Sequence, residues 1–353
     1  MHRIRTTLFV SAAVLLGSCT KPQGEEHGTA IGFSTSTVSQ VEGTKANHTG
    51  ESTTTATLQN KPFGVYGMYS VTDGGKGTNV FDFSSPVEVR YTTEGSSTEK
   101  NWTYTFSGSQ YSAKKYWKRN MYYRFRAYHP YDATLLQSSS SADGIDIEYR
   151  ILDDSYDLLL ASAKRYPAND GYDRVQLVFK HALCALKFKI AFKETVTPST
   201  YTDNIIHFYI KGLNAYGHLN YTGFGKDATF NWSGTFNSQD KLYEWTGDKT
   251  FGVNGAVVNG AKKEPTDILE PNEYFFAIPQ TCSDEANGPT SIHLFTKNSG
   301  GDNEIDHTVN LQPLKWEAGK IYTYTLLVNK SDIEVSVTIE PWLTKQVHVD
   351  IYL

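Results

Sequence analysis

Ile321-Tyr322-Thr323-Tyr324-Thr325-Leu326-Leu327-Val328, a break at Asn329-Lys330-Ser331-Asp332, then Ile333-Glu334-Val335-Ser336-Val337-Thr338-Ile339 sets the pattern of the chain. Two runs of β-branched and aromatic residues separated by turn formers read as consecutive strands. Working back from them, the same rhythm recurs at Ile292–Thr296, Tyr274–Ile278, Ile205–Ile210, Leu183–Phe192 and Val175–Phe179. Further upstream it returns at Ile145–Ile151, Tyr122–Tyr128, Trp102–Phe106, Val87–Thr92 and Phe63–Tyr69. No window of a dozen residues sustains a 3.6-residue period, so helix is expected to be minor. The chain is read as all-β.

Turn formers cluster most densely at Tyr166-Pro167-Ala168-Asn169-Asp170-Gly171, which divides the runs into two series. The 353 residues amount to about two domains at roughly 150 residues each. Two β-sandwiches in tandem, 61–170 and 171–353, are therefore expected. Two stretches resist this reading. Asp153–Lys164 opens with acidic residues and contains Leu158-Leu159-Leu160, which fits a short helix or a strand equally. Residues 216–263, rich in Gly, Asn and rings such as Trp232, Phe236, Tyr243, Trp245 and Phe251, read as an elaborated loop or a set of short hairpins.

Composition narrows the function. Lys and Arg number 33 against 38 Asp and Glu, giving a net charge of −5 with no basic block, so nucleic acid is not an expected partner. With 39% hydrophobic residues the chain is too polar for a polytopic membrane protein and too apolar for disorder. Charged residues make up only 20%, and 23 Tyr and 18 Phe dominate the large side chains, as in extracellular β proteins.

The first residues give an address. His2, Arg3 and Arg5 precede an apolar stretch from Leu8 to Leu16, then Gly17 and Ser18, the layout of a secretory signal peptide over residues 1–18. The apolar stretch is too short to span a bilayer. Leu16-Gly17-Ser18-Cys19 resembles the bacterial lipobox, which makes Cys19 the expected lipid anchor, and Thr20 in place of aspartate argues for the outer membrane. Residues 19–60 read as a tether, rich in Ser, Thr, Gly and Glu, carrying one short apolar strand around Ile31-Gly32-Phe33. Cys184 and Cys282 remain. They either pair or stay free, and Cys184, inside the apolar run Val178–Ile190, reads as a small core hydrophobe.

Signatures of catalysis are missing: GxSxG, HExxH, a Walker loop, CxxC and an EF-hand loop do not occur. The ten histidines have no metal-ligand spacing, and His181 reads as a hydrogen-bonded strand residue ahead of a ligand. Asp143, Asp146 and Glu148, and again Asp302, Glu304 and Asp306, stand at strand spacing and read as solvated faces, although paired acids from distant strands would leave no local trace. Neither a metal, a cofactor nor an enzymatic activity is expected. The aromatic stretch from Trp232 to Trp245 admits glycan stacking, against which stands the use of such rings to fill β cores.

The chain closes on Val347-His348-Val349-Asp350-Ile351-Tyr352-Leu353. Val347, Val349, Ile351 and Leu353 fall on one face of an extended strand, which can either finish its own sheet or be donated to a groove that lacks one.

Several stretches in order are similar to the fimbrillin family, lipoprotein subunits of type V pili in Bacteroides-like bacteria. They are Phe63-Gly64-Val65-Tyr66-Gly67-Met68-Tyr69, Tyr116-Trp117 ahead of Tyr123-Arg124-Phe125-Arg126-Ala127-Tyr128-His129-Pro130, and Asp157-Leu158-Leu159-Leu160-Ala161. Val175–Leu183, Ala277-Ile278-Pro279-Gln280, Trp316–Tyr324 and Pro341-Trp342 continue the series. The resemblance implies two transthyretin-like β-sandwiches, export as a lipoprotein, and proteolytic removal of a leader so that a neighbour's strand fills the vacated groove. It implies partners in other pilus subunits and in the outer membrane; the 13% aromatic content leaves a surface lipoprotein or tip adhesin that binds surface glycans or proteins as the alternative. Such family members are usually cut after arginine, and here none occurs between Arg5 and Arg90. Lys45 stands where the arginine is expected, so either a protease accepts lysine or the leader is not trimmed, the second suiting an anchor or accessory protein more than a stalk subunit.

Overall fold

A computed structural model describes residues 24–37, 50–51, 58–81, 84–93, 98–105, 114–151, 156–193, 204–237, 242–251, 257–258, 261–262, 264–270, 273–283, 288–297, 304–328 and 333–342. In chain order the longer strands of the first half are β1 (Glu26–Ala30), β2 (Phe33–Thr37), β3 (Phe63–Ser70), β4 (Val87–Thr93), β5 (Lys100–Thr105), β6 (Tyr116–Lys118), β7 (Tyr122–His129), β8 (Ile145–Arg150), β9 (Leu159–Arg165) and β10 (Val175–His181). The second half supplies β11 (Cys184–Phe192), β12 (Asn204–Lys211), β13 (Leu213–Thr222), β14 (Thr229–Asn237), β15 (Leu242–Thr250), β16 (Glu273–Ala277), β17 (Ser291–Lys297), β18 (Glu304–Asn310), β19 (Lys320–Val328) and β20 (Ile333–Pro341).

The first sheet runs β2-β10-β9-β7-β3-β4-β5, with Thr78–Asn79 paired on β3. Because side chains alternate across a strand, Phe63 and Val65, Phe125 and Ala127, Leu159 and Ala161, and Val175, Leu177 and Phe179 all point to one face and form a first core. The sheet curls until its outer strands meet, the Phe33 ring of β2 standing edge-on to Tyr104 of β5 at 6.1 Å. Gly64 lies opposite Tyr128 in the ladder, and a Cβ at Gly64 would come within 2.1 Å of the Tyr128 ring. Only glycine leaves that ring room to lie flat across the strand.

The reverse face carries Tyr66, Arg126, Tyr128 and Leu160, and a second sheet, β8-β13-β14, packs on it. Arg126 is fully buried there. It donates from Nε to the Ala142 carbonyl at 3.1 Å and from Nη2 to the Gly223 carbonyl at 2.6 Å, and lies 4.3 Å over the Phe224 ring. Burial pushes its pKa down to about 10. Tyr221 Oη donates to Ser162 Oγ at 3.1 Å, and Lys180 Nζ to the Gly225 carbonyl at 3.1 Å, closing the same seam.

A sandwich forms the second core. One layer is β20-β19-β11-β16, extended by Gly50–Glu51 beyond β16; the other is β15-β12-β17-β18. The layers meet through Phe188 of β11 and Phe208 of β12, ring centroids 4.9 Å apart, and Phe275 of β16. The strands that opened the sequence reading, β19 and β20, form an antiparallel hairpin from Val328↔Ile333 to Lys320↔Pro341, and β19 lies parallel to β11.

The all-β reading stands, with these corrections of detail. Residue 170 does not end the first series in space: β10 belongs to the first sheet, so that sheet reaches His181, eleven residues past the expected boundary of 61–170 and 171–353. Ile145–Arg150, assigned to the first series, pairs with β13 of the second. The turn cluster is a single helical turn, Pro167–Asp170, with proline at its start. In the ambiguous Asp153–Lys164 stretch, Leu159–Arg165 is strand β9. The expected loop of 216–263 contains β13, β14 and β15, so the hairpin reading holds. Cys184 and Cys282 are free and buried, their thiols donating to the Ala277 and Gln312 carbonyls, and burial raises both pKa values.

Candidate functional site: the leader strands and the C-terminal edge

Residues 24–37 form two strands where one was expected, separated by Ile31 and Gly32. β1 pairs antiparallel with β6, from Glu26↔Lys118 to Ala30↔Tyr116, and the Ile31 N–H donates to the Lys115 carbonyl at 2.7 Å. β2 then crosses to the far side of the first core and pairs in parallel with β10, from Val175↔Phe33 to Phe179↔Thr37. Its sequence, Phe-Ser-Thr-Ser-Thr, has one large apolar side chain, and that side chain is completely buried. The Phe33 ring meets Phe125 at 5.8 Å, Tyr104 at 6.1 Å and Phe81 at 6.5 Å, with Ile31 buried beside it. Burying a phenylalanine contributes about 1.5–3 kcal/mol, so the leader is seated mainly by that ring and the ladder. His27 stacks on Tyr172 with centroids 3.5 Å apart.

At the other end of the chain, β20 is an edge strand. Ile333, Val335, Val337 and Ile339 continue the face that Val328, Leu326, Tyr324 and Tyr322 of β19 present to the core. The facing layer does not reach that far. Val337 and Ile339 remain 39% and 45% exposed, far more than their buried partners on β19. A cleft between β18 and β20, lined by Val309, Leu311, Leu314, Tyr324, Val335 and Val337, marks where the sandwich stops. Beyond the edge the chain is pinned by Trp342, which is buried and stacked on His181 at 3.7 Å with the rings 7° from parallel, and whose N–H donates to the Gly319 carbonyl at 2.7 Å.

The remaining predicted site residues fall elsewhere. Cys19, Lys45, Val347, Val349, Ile351 and Leu353 lie outside the described residues, as does Asp302. His181 is a strand residue whose Nδ1 is bonded to Asp157 Oδ1 at 2.8 Å, a buried pair that sequence reading missed because the partners lie on different strands' ends 24 residues apart. The carboxylates at strand spacing are engaged by neighbours: Asp143 with Arg124, Asp146 with Ser139 and Asn220, Asp306 with His293 and Thr308. Among the described residues no group of three or more His, Cys, Asp or Glu could hold a metal ion. Three rings of the 232–251 stretch pack inward: Trp232 Nε1 donates to the Ala182 carbonyl, Tyr243 Oη to the Phe276 carbonyl, and Phe251 is fully buried.

Among the described residues the chain is a β-sheet protein with edge strands at β2 and β20. The fimbrillin-like family model matches residues 44–342, and the chain belongs to that family. Its fold is similar to that of a fimbrial protein from Bacteroides vulgatus, at 17% identity and a TM-score of 0.55, over 89% of this chain and 100% of that one. It is similar also to a Bacteroides ovatus protein assigned to cell adhesion, at 16% identity and a TM-score of 0.52, over 90% and 98% of the two chains. No curated protein matches the chain. Membership of this family relates the chain to the fimbrillins.

Proposed function

We propose that the protein is a structural subunit of a type V-like pilus, built from two transthyretin-like units, exported as an outer-membrane lipoprotein through Cys19 and joined to other subunits by strand donation. In this reading a protease cuts after Lys45 and the leader with β1 and β2 is shed. The strand carrying Val347, Val349, Ile351 and Leu353 from a neighbour takes the place of β2 on β10. One observation carries the proposal: the leader fills the first core as a separable edge strand, with Phe33 completely buried and the rest of β2 polar. Its loss would bare the β10 edge and an aromatic pocket, and an alternating aliphatic strand is the complement such a groove requires. The exposed aliphatic face of β20 lies just before the candidate donor.

Mass spectrometry of the mature N-terminus, on protein taken from the native cell surface, tests the processing step. A terminus at Ala46 is expected in fibres, and an acylated Cys19 on fibre-incorporated protein would overturn leader removal. Deleting residues 347–353 tests the donor; fibres of normal length from the truncated protein would overturn it.

A further inference from the structure

β10 is fastened unevenly along its length. Over Val175–Phe179 its ladder partner is β2, and the Val175 N–H donates to the Gly32 carbonyl at 2.8 Å. Gln176 adds side-chain bonds on both sides, accepting from Ser34 Oγ at 2.8 Å and donating to Ser36 Oγ at 3.3 Å. Its other neighbour, β9, is in register with it only at the far end, Leu160↔Lys180 and Leu159↔His181, where the Ala182 N–H donates to the Leu158 carbonyl. With β2 absent, the first five residues of β10 keep their packing on the first core and β9 as a neighbour, and lose the ladder on their other side.

That far end holds the close of the second sandwich. His181, the last residue of β10, is braced by Asp157 and presents its ring face to Trp342. Trp342 lies in turn against Phe276 at 5.6 Å and Tyr274 at 6.0 Å, both on β16. The backbone repeats the connection, since the Gly319 N–H donates to the Leu183 carbonyl and the Trp342 N–H to the Gly319 carbonyl. A strand held at one end by the leader thus positions, at the other, the ring that pins the end of β20.

We propose that β10 couples the leader strand to the C-terminal edge: β2 in place keeps His181 seated against Trp342, and loss of β2 loosens that stack and the end of the β19–β20 hairpin. Coupling of this kind is reciprocal, so freeing Trp342 also weakens the hold on β2. The inference goes beyond the assembly reading, because it gives the leader's departure a consequence at the opposite end of the chain. It holds whether or not proteolysis is what removes the leader.

The test uses the full chain with the leader still attached, so its failure leaves the assembly reading standing. Ser36→Pro disrupts β2 without cutting it. Hydrogen exchange is read at the amides of 33–37 and 319–342, and 5-fluorotryptophan labelling reports the Trp342 ring, assigned by Trp342→Phe among the six tryptophans. With β2 loosened, exchange at 319–342 is expected to rise about tenfold and the Trp342 resonance to shift, in line with couplings of 5–150-fold. Val65→Ala, which weakens the same core from β3, two intervening strands along the sheet from β10, is expected to leave both unchanged. An unmoved Trp342 in a protein whose β2 has loosened would overturn the proposal, and so would an equal response to Val65→Ala. Should Ser36→Pro fail to fold, Gln176→Ala removes only the side-chain bonds and is read in the same way. Trp342→Leu supplies the reciprocal measurement, where unchanged exchange at 33–37 also counts against coupling.

Discussion

β2 and β20 are both edge strands, and each lacks what the other has. β2 makes a short parallel ladder of mostly Ser and Thr residues, yet drives Phe33 to the centre of the first core. β20 makes a complete antiparallel ladder with β19, yet leaves Val337 and Ile339 in solvent. Ladder and burial are separate contributions, and a strand normally draws on both. β2 leans on a short ladder and one buried ring, β20 on a long ladder with half its apolar face uncovered. The contrast separates an end whose hold depends on burial from one whose hold depends on its ladder.

The hardest blow to this contrast is Phe33→Ala. Truncating a fully buried phenylalanine costs about 3–5 kcal/mol, and a urea titration should show the first core unfolding earlier by that amount. A shift below about 1 kcal/mol would mean that the ladder seats β2.

Acid should act next, and unequally on the two regions. His129, at the end of β7, is buried with neither ring nitrogen hydrogen-bonded to a described residue, and burial pushes its pKa down from 6.5 to about 3. In the unfolded chain the imidazole takes a proton below about 6.5 while the folded protein refuses it until about 3. Its contribution is therefore whole above pH 6.5 and is lost as the pH falls through that window, at up to about 1.4 kcal/mol per pH unit. His307 on β18 of the second sandwich is depressed in the same direction by burial, with Asp306 opposing. Melting temperatures measured from pH 7 to pH 4 should fall, and His129→Phe should flatten the fall.

Smaller effects belong to β20. Glu334 pairs with Lys193 of the segment after β11, both well exposed, and Glu334→Ala should lower stability by only about 0.2–1 kcal/mol, less in high salt. Smallest of all, Val337→Thr with Ile339→Thr should change the monomer's stability by no more than about 0.5 kcal/mol, because little burial is lost. Calorimetry of the pair against Phe33→Ala is the sharpest form of the comparison.

The strands were legible because a period of two with turn formers between the runs is a local signal, and it located β3, β7, β11 and β19 without tertiary information. The leader's apolar island at Ile31–Phe33 was legible as a buried one, although the single strand expected there is two strands, with Ile31 and Gly32 forming the break between them. Its partner was not: Phe33 faces Val175 across 142 positions, and nothing in a Ser/Thr strand selects a parallel neighbour at that distance. The same holds for the division of the chain, since turn chemistry at 166–171 marks where the backbone bends but not which sheet the next strand joins. Arg126 and the His181–Asp157 pair were hidden because their bonds go to backbone carbonyls or to residues on other elements.

Gly64 and Tyr128 carry one last consequence, for the history of the sequence. A ring 2.1 Å from where a Cβ would stand must shift before any side chain is accommodated at position 64 while tyrosine occupies position 128. The two positions can therefore drift only in one order, the ring first and the glycine afterwards. In descendants of this chain they should be inherited together, as a single character spelled in two places.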